Sequence, residues 1–297
     1  MKKINLLVAS FVFSLCIFIG TSNVYAKEKP FYTNLNGVEL TETQYNNLIK
    51  ALDEDTIATL TQDMADILKD DTKLVSNKYS KYIKIDNIVD KYGNILFTTE
   101  TEVTKEEAMN FVNNPPAYTK GYPVHQTTMK RLTINITVGS ISVKTITLTN
   151  EWLSMPVTRS HDVIAIRPNT SFTINNGSNI SGYLKKDGTI VQSYSQGHSN
   201  IRSISGGVGL SMPLPSGGSS MSNGLTIIVI AGADPFTAYG SYQHAQSSVT
   251  LAQSKVYNIN SNGLGGVIDF TNATTRAKYD AMQGVYCTWS TSTLSCV

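Results

Sequence analysis

Hydrophobic and polar positions alternate with a period of two residues along the second half of the chain. In LTINITV (132–138), Leu132, Ile134, Ile136 and Val138 fall on one side and polar residues fall on the other. Successive side chains of a β-strand point to opposite faces of its sheet, so this pattern predicts a strand with one buried face.

The next segment, ISVKTITLT (141–149), also alternates, but the phase of the alternation changes between Val143 and Ile146. One extra residue in a strand shifts this phase. We therefore expect a β-bulge near Lys144 and Thr145.

Further short apolar or alternating segments follow, separated by glycine, asparagine and serine. They are HDVIAIRP (161–168), GYLKKDGTIVQSY (182–194), GVGLSMPL (207–214), LTIIVIAGA (225–233), TAYGSYQHAQ (237–246), KVYNI (255–259) and GGVIDF (265–270). The pair Asp187-Gly188 predicts a hairpin turn inside the second of these segments. About ten short strands with such turns predict a mainly β fold, an antiparallel β-sandwich of jelly-roll-like type.

The chain is expected to end in a short helix and a tail. The segment TTRAKYDAMQG (274–284) predicts a closing helix that ends at Gly284. This helix would carry Asp280 on its surface. The remaining residues, VYCTWSTSTLSCV (285–297), form the tail.

The first part of the mature chain follows a helical period instead. Thr41 with Gln44, and Thr104 with Glu107, have the spacing of a capping box, in which the two side chains satisfy free N–H groups at a helix start. Apolar residues recur every three or four positions after the first of these boxes. We expect a small α-rich module that also contains a strand-like stretch at 79–103.

A segment rich in proline and glycine, NNPPAYTKGYPVHQTT (113–128), interrupts regular structure between the two patterns. The predicted organisation is a signal peptide at 1–26, a small acidic helical or α+β module at 27–114, a Pro/Gly linker at 115–128, the β-sandwich at 129–273, and the closing helix with its cysteine-containing tail at 274–297.

The first 26 residues have the pattern of a secretory signal peptide. Lys2 and Lys3 precede an apolar run at 4–19, and Val24 and Ala26 occupy the −3 and −1 positions of a small-residue cleavage site. We expect cleavage and a secreted, extracellular protein with no remaining membrane span. The alternative is an uncleaved anchor, but the apolar run is short for a span of about 20 residues.

The charge of the chain is unevenly distributed, although the formal net charge is only +2. Residues 27–114 carry 16 acidic and 10 basic side chains, whereas residues 115–297 carry 6 acidic and 12 basic ones. We expect an electrostatic contact between the two modules. The basic residues of the second module are scattered singly, which argues against a nucleic-acid partner.

Two cysteines, Cys287 and Cys296, remain after the predicted cleavage. Outside the cell they are expected to pair, and the alternative is two reduced thiols. Zinc usually takes four ligands, so this pair alone does not predict a metal site.

Several segments resemble a group of small secreted proteins of Gram-positive bacteria and their prophages that has no established activity. The residues that carry the resemblance are GVELTETQYNNLIKAL (37–52), TIATLTQDMADILKDD (56–71), TAYGSYQHA (237–245) and LGGVIDF (264–270). The resemblance implies a secreted location and this two-part architecture. It transfers no catalytic residue.

Catalytic motifs are not evident in the sequence. There is no G-x-S-x-G to activate a serine beside His244 and no H-E-x-x-H to bind zinc. Glu151 and Asp162 are the most plausible pair of carboxylates for glycosidase chemistry, which needs two facing carboxyl groups. We predict no catalytic residues, no metal and no cofactor.

Aromatic side chains offer a binding hypothesis, because aromatic rings can stack on sugar rings. The candidate ligand-binding residues are Tyr239, Tyr242, His244, Trp152 and Trp289. We predict a secreted, non-enzymatic module that recognises a cell-surface glycan or protein. The alternative is a secreted toxin or bacteriocin-like protein that acts on membranes.

Overall fold

A computed structural model of the protein describes residues 29–92, 94–116, 123–139, 143–169, 179–204, 206–230, 235–260, 267–290 and 293–297. The predicted signal peptide at 1–26 lies outside these residues, as does part of the predicted linker. In the parts of the chain that are described, no helix is long and apolar enough to cross a membrane.

One large sheet has seven antiparallel strands. From one edge to the other they are β4 (Ile95–Val103), β3 (Val75–Val89), β5 (Val124–Val138), β6 (Val143–Trp152), β12 (Met221–Ile230), β8 (Ile180–Lys186) and β9 (Thr189–Ser195). The β8–β9 hairpin turns at Asp187 and Gly188, which both have positive φ, and this confirms the predicted turn.

A second antiparallel sheet has six strands. Its order is β10 (Ile201–Ile204), β11 (Gly207–Pro213), β7 (His161–Pro168), β13 (Phe236–Gln243), β16 (Gln283–Ser290) and β17 (Thr293–Cys296). Two small two-stranded sheets pair β1 (Tyr32–Thr33) with β2 (Glu39–Leu40) and β14 (Tyr257–Ile259) with β15 (Ile268–Phe270).

The helices are short. They are α1 (Glu42–Leu48), α2 (Glu54–Thr59), α3 (Gln62–Leu68), α4 (Lys105–Asn113), α5 (Leu251–Ser254) and α6 (Ala273–Arg276). Both predicted capping boxes are present, at the start of α1 and at the start of α4.

The main hydrophobic core lies between the two large sheets. Leu132, Ile134 and Ile136 of β5 are fully buried in it, as the alternation predicts, and Ile164 and Ile166 of β7 lie in the same core. The predicted antiparallel β-sandwich with few helices is confirmed.

The predicted β-bulge near Lys144 and Thr145 is wrong. The pairing of β5 with β6 runs in continuous register from Val138 opposite Lys144 to Lys130 opposite Trp152. The phase of alternation changes because both faces of this strand are buried. Val143 belongs to a second apolar cluster, which the N-terminal helices form on the outer face of the seven-stranded sheet.

The N-terminal segment covers part of that outer face. Leu48 of α1, Ile57 of α2 and Met64 of α3 are fully buried in the second cluster, together with Val143 and Ile228 of the sheet. The boundary drawn after Asn114 from the sequence lies between paired strands of one sheet, since β3 pairs with β5 along its full length.

The C-terminal region departs from its predicted form. The closing helix is a single turn, α6, and Gly284 lies inside β16 rather than at a helix end. Asp280 was expected on a helix surface, but its side chain is fully buried. The tail is the β16–β17 hairpin, in which Cys287 and Cys296 face each other and form a disulfide.

Candidate functional site

A polar groove lies on the outer face of the seven-stranded sheet, beside the N-terminal helices. Four side chains form a row across adjacent strands: Arg131 of β5 is opposite Glu151 of β6, followed by Ser222 of β12 and Lys185 of β8. The row is polar because these positions alternate with the buried residues of each strand and point away from the core.

The groove has a volume of about 980 Å³, and the segment from Ile49 to Asp55, between α1 and α2, forms one wall. Asn135 and Thr137 of β5 fix this wall, because their side chains donate hydrogen bonds of 3.0 and 3.1 Å to the Ala51 carbonyl oxygen. These two bonds fix the wall to the sheet at Ala51.

Two ion pairs lie along the groove. Arg131 contacts Glu151, and Lys185 Nζ lies 2.8 Å from both carboxylate oxygens of Asp55. The Lys185–Asp55 pair is an electrostatic contact between the basic and the acidic part of the chain, as the charge distribution predicts. Five acidic and four basic side chains line the groove in all, so it presents hydrogen-bonding groups without a strong field of one sign.

The floor of the groove includes Tyr183, whose ring lies against the backbone of Gly224. A Cβ atom at Gly224 would stand 2.4 Å from the Tyr183 ring, so only glycine allows this close approach. Burial raises the pKa of Tyr183, and the nearby acidic groups Asp53 and Asp55 raise it further. Tyr183 therefore remains a neutral hydroxyl at physiological pH.

Hydroxyl and amide groups make up much of the remaining lining. Thr133, Thr149, Asn135 and Ser222 all line the groove. Hydroxyls both donate and accept hydrogen bonds, and a side-chain amide offers two donors and an acceptor. Such a lining is suited to a polar, hydroxyl-rich ligand.

The aromatic residues proposed from the sequence as ligand contacts lie elsewhere. Trp152, Tyr242 and His244 are buried together between the sheets: the Trp152 indole Nε1 donates a 3.1 Å hydrogen bond to the Tyr242 hydroxyl, and the Trp152 and His244 rings meet edge-on at 4.8 Å. Their faces are packed against other side chains of the protein.

This buried cluster is organised around Asp162 of β7. The carboxylate accepts hydrogen bonds from the Tyr242 hydroxyl, from His244 Nδ1 at 2.9 Å and from the Ala245 N–H at 3.0 Å. Burial raises the pKa of Tyr242, and the Asp162 charge raises it further. The cluster stabilises the junction of the two sheets.

The other two aromatic candidates also have packing partners. Trp289 is buried in the main core. Tyr239 is half-buried on the opposite face of β13, where its ring lies 4.8 Å from that of Tyr286. Of the five candidate residues, Tyr239 retains the most accessible position, and its ligand-binding role stays a prediction.

Glu151 and Asp162 do not face each other as a glycosidase pair requires. Glu151 points into the outer groove beside Arg131, whereas Asp162 is buried between the sheets. Among the residues whose positions are described, no three His, Cys, Asp or Glu side chains are grouped so that they could hold a metal ion.

A second buried polar cluster was missed by the sequence analysis. Lys130 of β5 and Asp280 form an ion pair at 3.0 Å with both side chains fully buried, and Glu100 of β4 lies beside them. One signal was available: Lys130 shares the inward phase of Leu132 and Ile134. Nothing in the local sequence indicated Asp280 as its partner, because 150 residues separate the two.

Comparisons with known proteins give no family. No family model matches the chain, and no curated protein matches it. One similar solved structure is described as BspA_C_mut, with 9% identity, a TM-score of 0.24, and coverage of 62% of this chain and 92% of the other.

A second similar structure is the C-terminal domain of the Streptococcus pyogenes antigen I/II-family protein AspA. It has 7% identity and a TM-score of 0.24, with coverage of 57% of this chain and 87% of that one. TM-scores of this size support no argument about the fold or function of the present protein.

Proposed function

We propose that the protein is a secreted, non-enzymatic recognition module that binds a cell-surface glycan in the outer groove. The observation that carries the proposal is the groove itself, about 980 Å³ in volume and lined by hydroxyl, amide and paired charged side chains. The signal-peptide pattern of residues 1–26 supports the extracellular location.

The chemistry of the lining favours a sugar over an apolar ligand. Glycans offer many hydroxyl groups, which exchange hydrogen bonds with threonine, serine and asparagine side chains and with carboxylates such as Glu151. Charge-assisted hydrogen bonds to the Arg131–Glu151 and Lys185–Asp55 pairs would fix the orientation of the bound sugar. The groove can also accept an extended polar segment of a protein partner.

A glycan array with the secreted protein tests the proposal. The informative variant is Thr149→Arg, which places a long side chain in the groove from the middle of β6. Its matched control is Thr99→Arg, the same change at an exposed position of the edge strand β4. We expect saturable glycan binding by the wild type and by Thr99→Arg, and a loss of at least about tenfold in affinity for Thr149→Arg.

Two results would contradict the proposal. One is the absence of binding to any glycan on the array by folded wild-type protein. The other is binding that both arginine variants retain in full, which would place the ligand outside the groove. Thermal unfolding of the three proteins establishes that each one is folded.

One observation favours the second candidate function, action on membranes. The β3–β4 hairpin exposes three large apolar side chains, Tyr92, Leu96 and Phe97, which are 76%, 63% and 59% exposed. Clusters of exposed apolar groups can mark a membrane contact. Dye leakage from liposomes that is lost in Leu96→Ser/Phe97→Ser would favour this candidate, whereas intact liposomes would exclude it.

A further inference from the structure

The ion pair between Lys130 and Asp280 stands out because of its complete burial. Both side chains have no exposed surface, and Lys130 Nζ lies 3.0 Å from Asp280 Oδ2. Removing two charges from water carries a large desolvation penalty, so a buried ion pair is seldom a source of net stability. The pair is therefore an unfavourable way simply to hold β5 against the segment before β16.

The surroundings of the amine are aromatic and exclude solvent. Lys130 Nζ lies 5.6 Å from the centre of the Trp152 ring and 5.2 Å from that of Tyr242. An amine held in a dry pocket against a carboxyl group is oriented for attack on that group, because neither partner can leave for water.

The second oxygen of Asp280 has a donor of its own. The backbone N–H of His244 donates a 2.7 Å hydrogen bond to Asp280 Oδ1, and the Asp280 N–H in turn donates to the His244 carbonyl oxygen at 2.9 Å. A fixed N–H group aimed at a carboxyl oxygen is the kind of donor that stabilises the negative charge of a tetrahedral intermediate.

A proton carrier lies next to the pair. Burial and the charge of Asp280 together raise the pKa of Glu100 to about 7, against the opposing charge of Lys130. Oε1 of Glu100 is buried without a hydrogen-bond partner, and Oε2 accepts a hydrogen bond from Gln283. A carboxyl group of this kind can accept and return a proton near neutral pH.

We propose that Lys130 and Asp280 join in an intramolecular amide bond, with Glu100 as the proton carrier. Glu100 first takes one proton from the Lys130 ammonium group, and the neutral Nζ attacks Cγ of Asp280. The N–C bond forms, one C–O bond of the carboxyl group breaks, and Glu100 returns its proton to the oxygen that leaves. Two of the three ammonium hydrogens leave with the released oxygen as one molecule of water. The reaction needs no oxidant, reductant or co-substrate.

The bond would link the two sheets covalently. Lys130 belongs to β5 of the seven-stranded sheet, and Asp280 lies three residues before the start of β16 in the six-stranded sheet. Together with the Cys287–Cys296 disulfide, it would fix β16 both to its neighbour β17 and to the opposite sheet. The inference is independent of the ligand proposed for the outer groove.

Mass spectrometry of the intact, denatured and reduced protein tests the amide directly. We expect the wild-type mass to be lower than its sequence mass by one water molecule, and Lys130→Met to have its full sequence mass. The matched control is Lys185→Met, which removes a lysine paired with Asp55 at 2.8 Å but partly exposed. This control is expected to keep the loss of one water molecule.

Protease digestion then locates the bond. We expect one branched peptide that joins the segment around Lys130 to the segment around Asp280, and Glu100→Gln is expected to abolish this peptide or delay its formation. A wild-type protein of full mass would overturn the proposal. So would a water loss that persists in Lys130→Met, because it would come from another site such as Asp187-Gly188. An unchanged yield of the branched peptide in Glu100→Gln would overturn the role of Glu100.

Discussion

His244 Nδ1 lies 2.9 Å from Oδ1 of Asp162 between the two sheets, although 82 residues separate these side chains in the sequence. A histidine beside a carboxylate is part of many active sites. In this protein the pair is buried with Trp152 and Tyr242, and it stabilises the junction of the two sheets. The polar groove lies on the other face of the seven-stranded sheet.

Replacing Asp162 tests this structural role. Asp162→Ala leaves the Tyr242 hydroxyl, His244 Nδ1 and the Ala245 N–H without their acceptor in a buried site. We expect the free energy of unfolding to fall by about 3–5 kcal/mol, as measured by denaturant titration.

The matched control is Asp269→Ala. Asp269 pairs with Arg276 at 2.5 Å, but the two side chains are 36% and 60% exposed. Exposed ion pairs contribute about 0–1 kcal/mol, so the free energy of unfolding of Asp269→Ala should differ little from that of the wild type. Equal losses in the two variants would contradict the role given to Asp162.

Asp53 provides a prediction about pH. It caps α2 by accepting a 2.8 Å hydrogen bond from the Thr56 N–H. Desolvation by the surrounding protein raises the pKa of Asp53, although the residue keeps an exposed surface and the hydrogen bonds from Thr56 oppose the shift. The folded protein therefore keeps the Asp53 proton to a higher pH than the unfolded chain does. Through this residue, the stability falls as the pH rises above the unfolded pKa and becomes constant above the folded pKa.

Asp53→Asn should remove the fall in stability that ionisation of Asp53 causes, because asparagine also caps helices and does not ionise. At pH 7 we expect a melting temperature at least equal to that of the wild type, with the advantage shrinking as the pH approaches 4. Asp53→Ala should instead lose about 1 kcal/mol with its cap. A lower stability of Asp53→Asn at pH 7 than at pH 4, relative to the wild type, would refute the sign of the shift.

The disulfide gives a third prediction. Cys287 and Cys296 are nine residues apart, and the loop-entropy model predicts a loss of about 2–3 kcal/mol on opening a loop of this size. Adding a reductant should lower the melting temperature of the wild type and leave that of Cys296→Ser unchanged. Two free thiols in the untreated, folded wild type would contradict the pairing.

Gly224 gives a prediction about the floor of the groove. Gly224→Ala places a methyl group 2.4 Å from the Tyr183 ring, so the ring must move. We expect a loss of about 1–3 kcal/mol from overpacking, together with weaker glycan binding. Ser222→Ala, a half-buried position of the same strand, is the control for stability. A Gly224→Ala variant with wild-type stability would show that Tyr183 is not held as described.

The periodic patterns of apolar and polar residues in the sequence were sufficient to predict the fold class. The alternation around Leu132 and Ile134 predicted a half-buried strand, and the spacing of Thr41 and Gln44 predicted a helix start, because both depend on contacts within a few residues. The prediction of a bulge near Lys144 was wrong. The apolar–polar alternation of β6 is lost there because helices cover the second face of the sheet, and the strand pairing itself is continuous.

The candidate sites could not be predicted in the same way, because they depend on contacts between distant segments. Asp280 pairs with Lys130 across 150 residues, and Asp55 pairs with Lys185 across 130. The sequence places an aromatic residue on a face of its strand. It does not say whether another sheet covers that face, as happens to Trp152 and Tyr242.

Binding to intact Gram-positive cells tests the recognition account most directly. Fluorescently labelled wild type, Thr149→Arg and Thr99→Arg are titrated onto the same cells, and the bound fraction is measured at each concentration. The account predicts saturable binding by the wild type and Thr99→Arg, with a dissociation constant at least about tenfold higher for Thr149→Arg. Equal dissociation constants for the two arginine variants, or no saturable binding by the wild type, would contradict it.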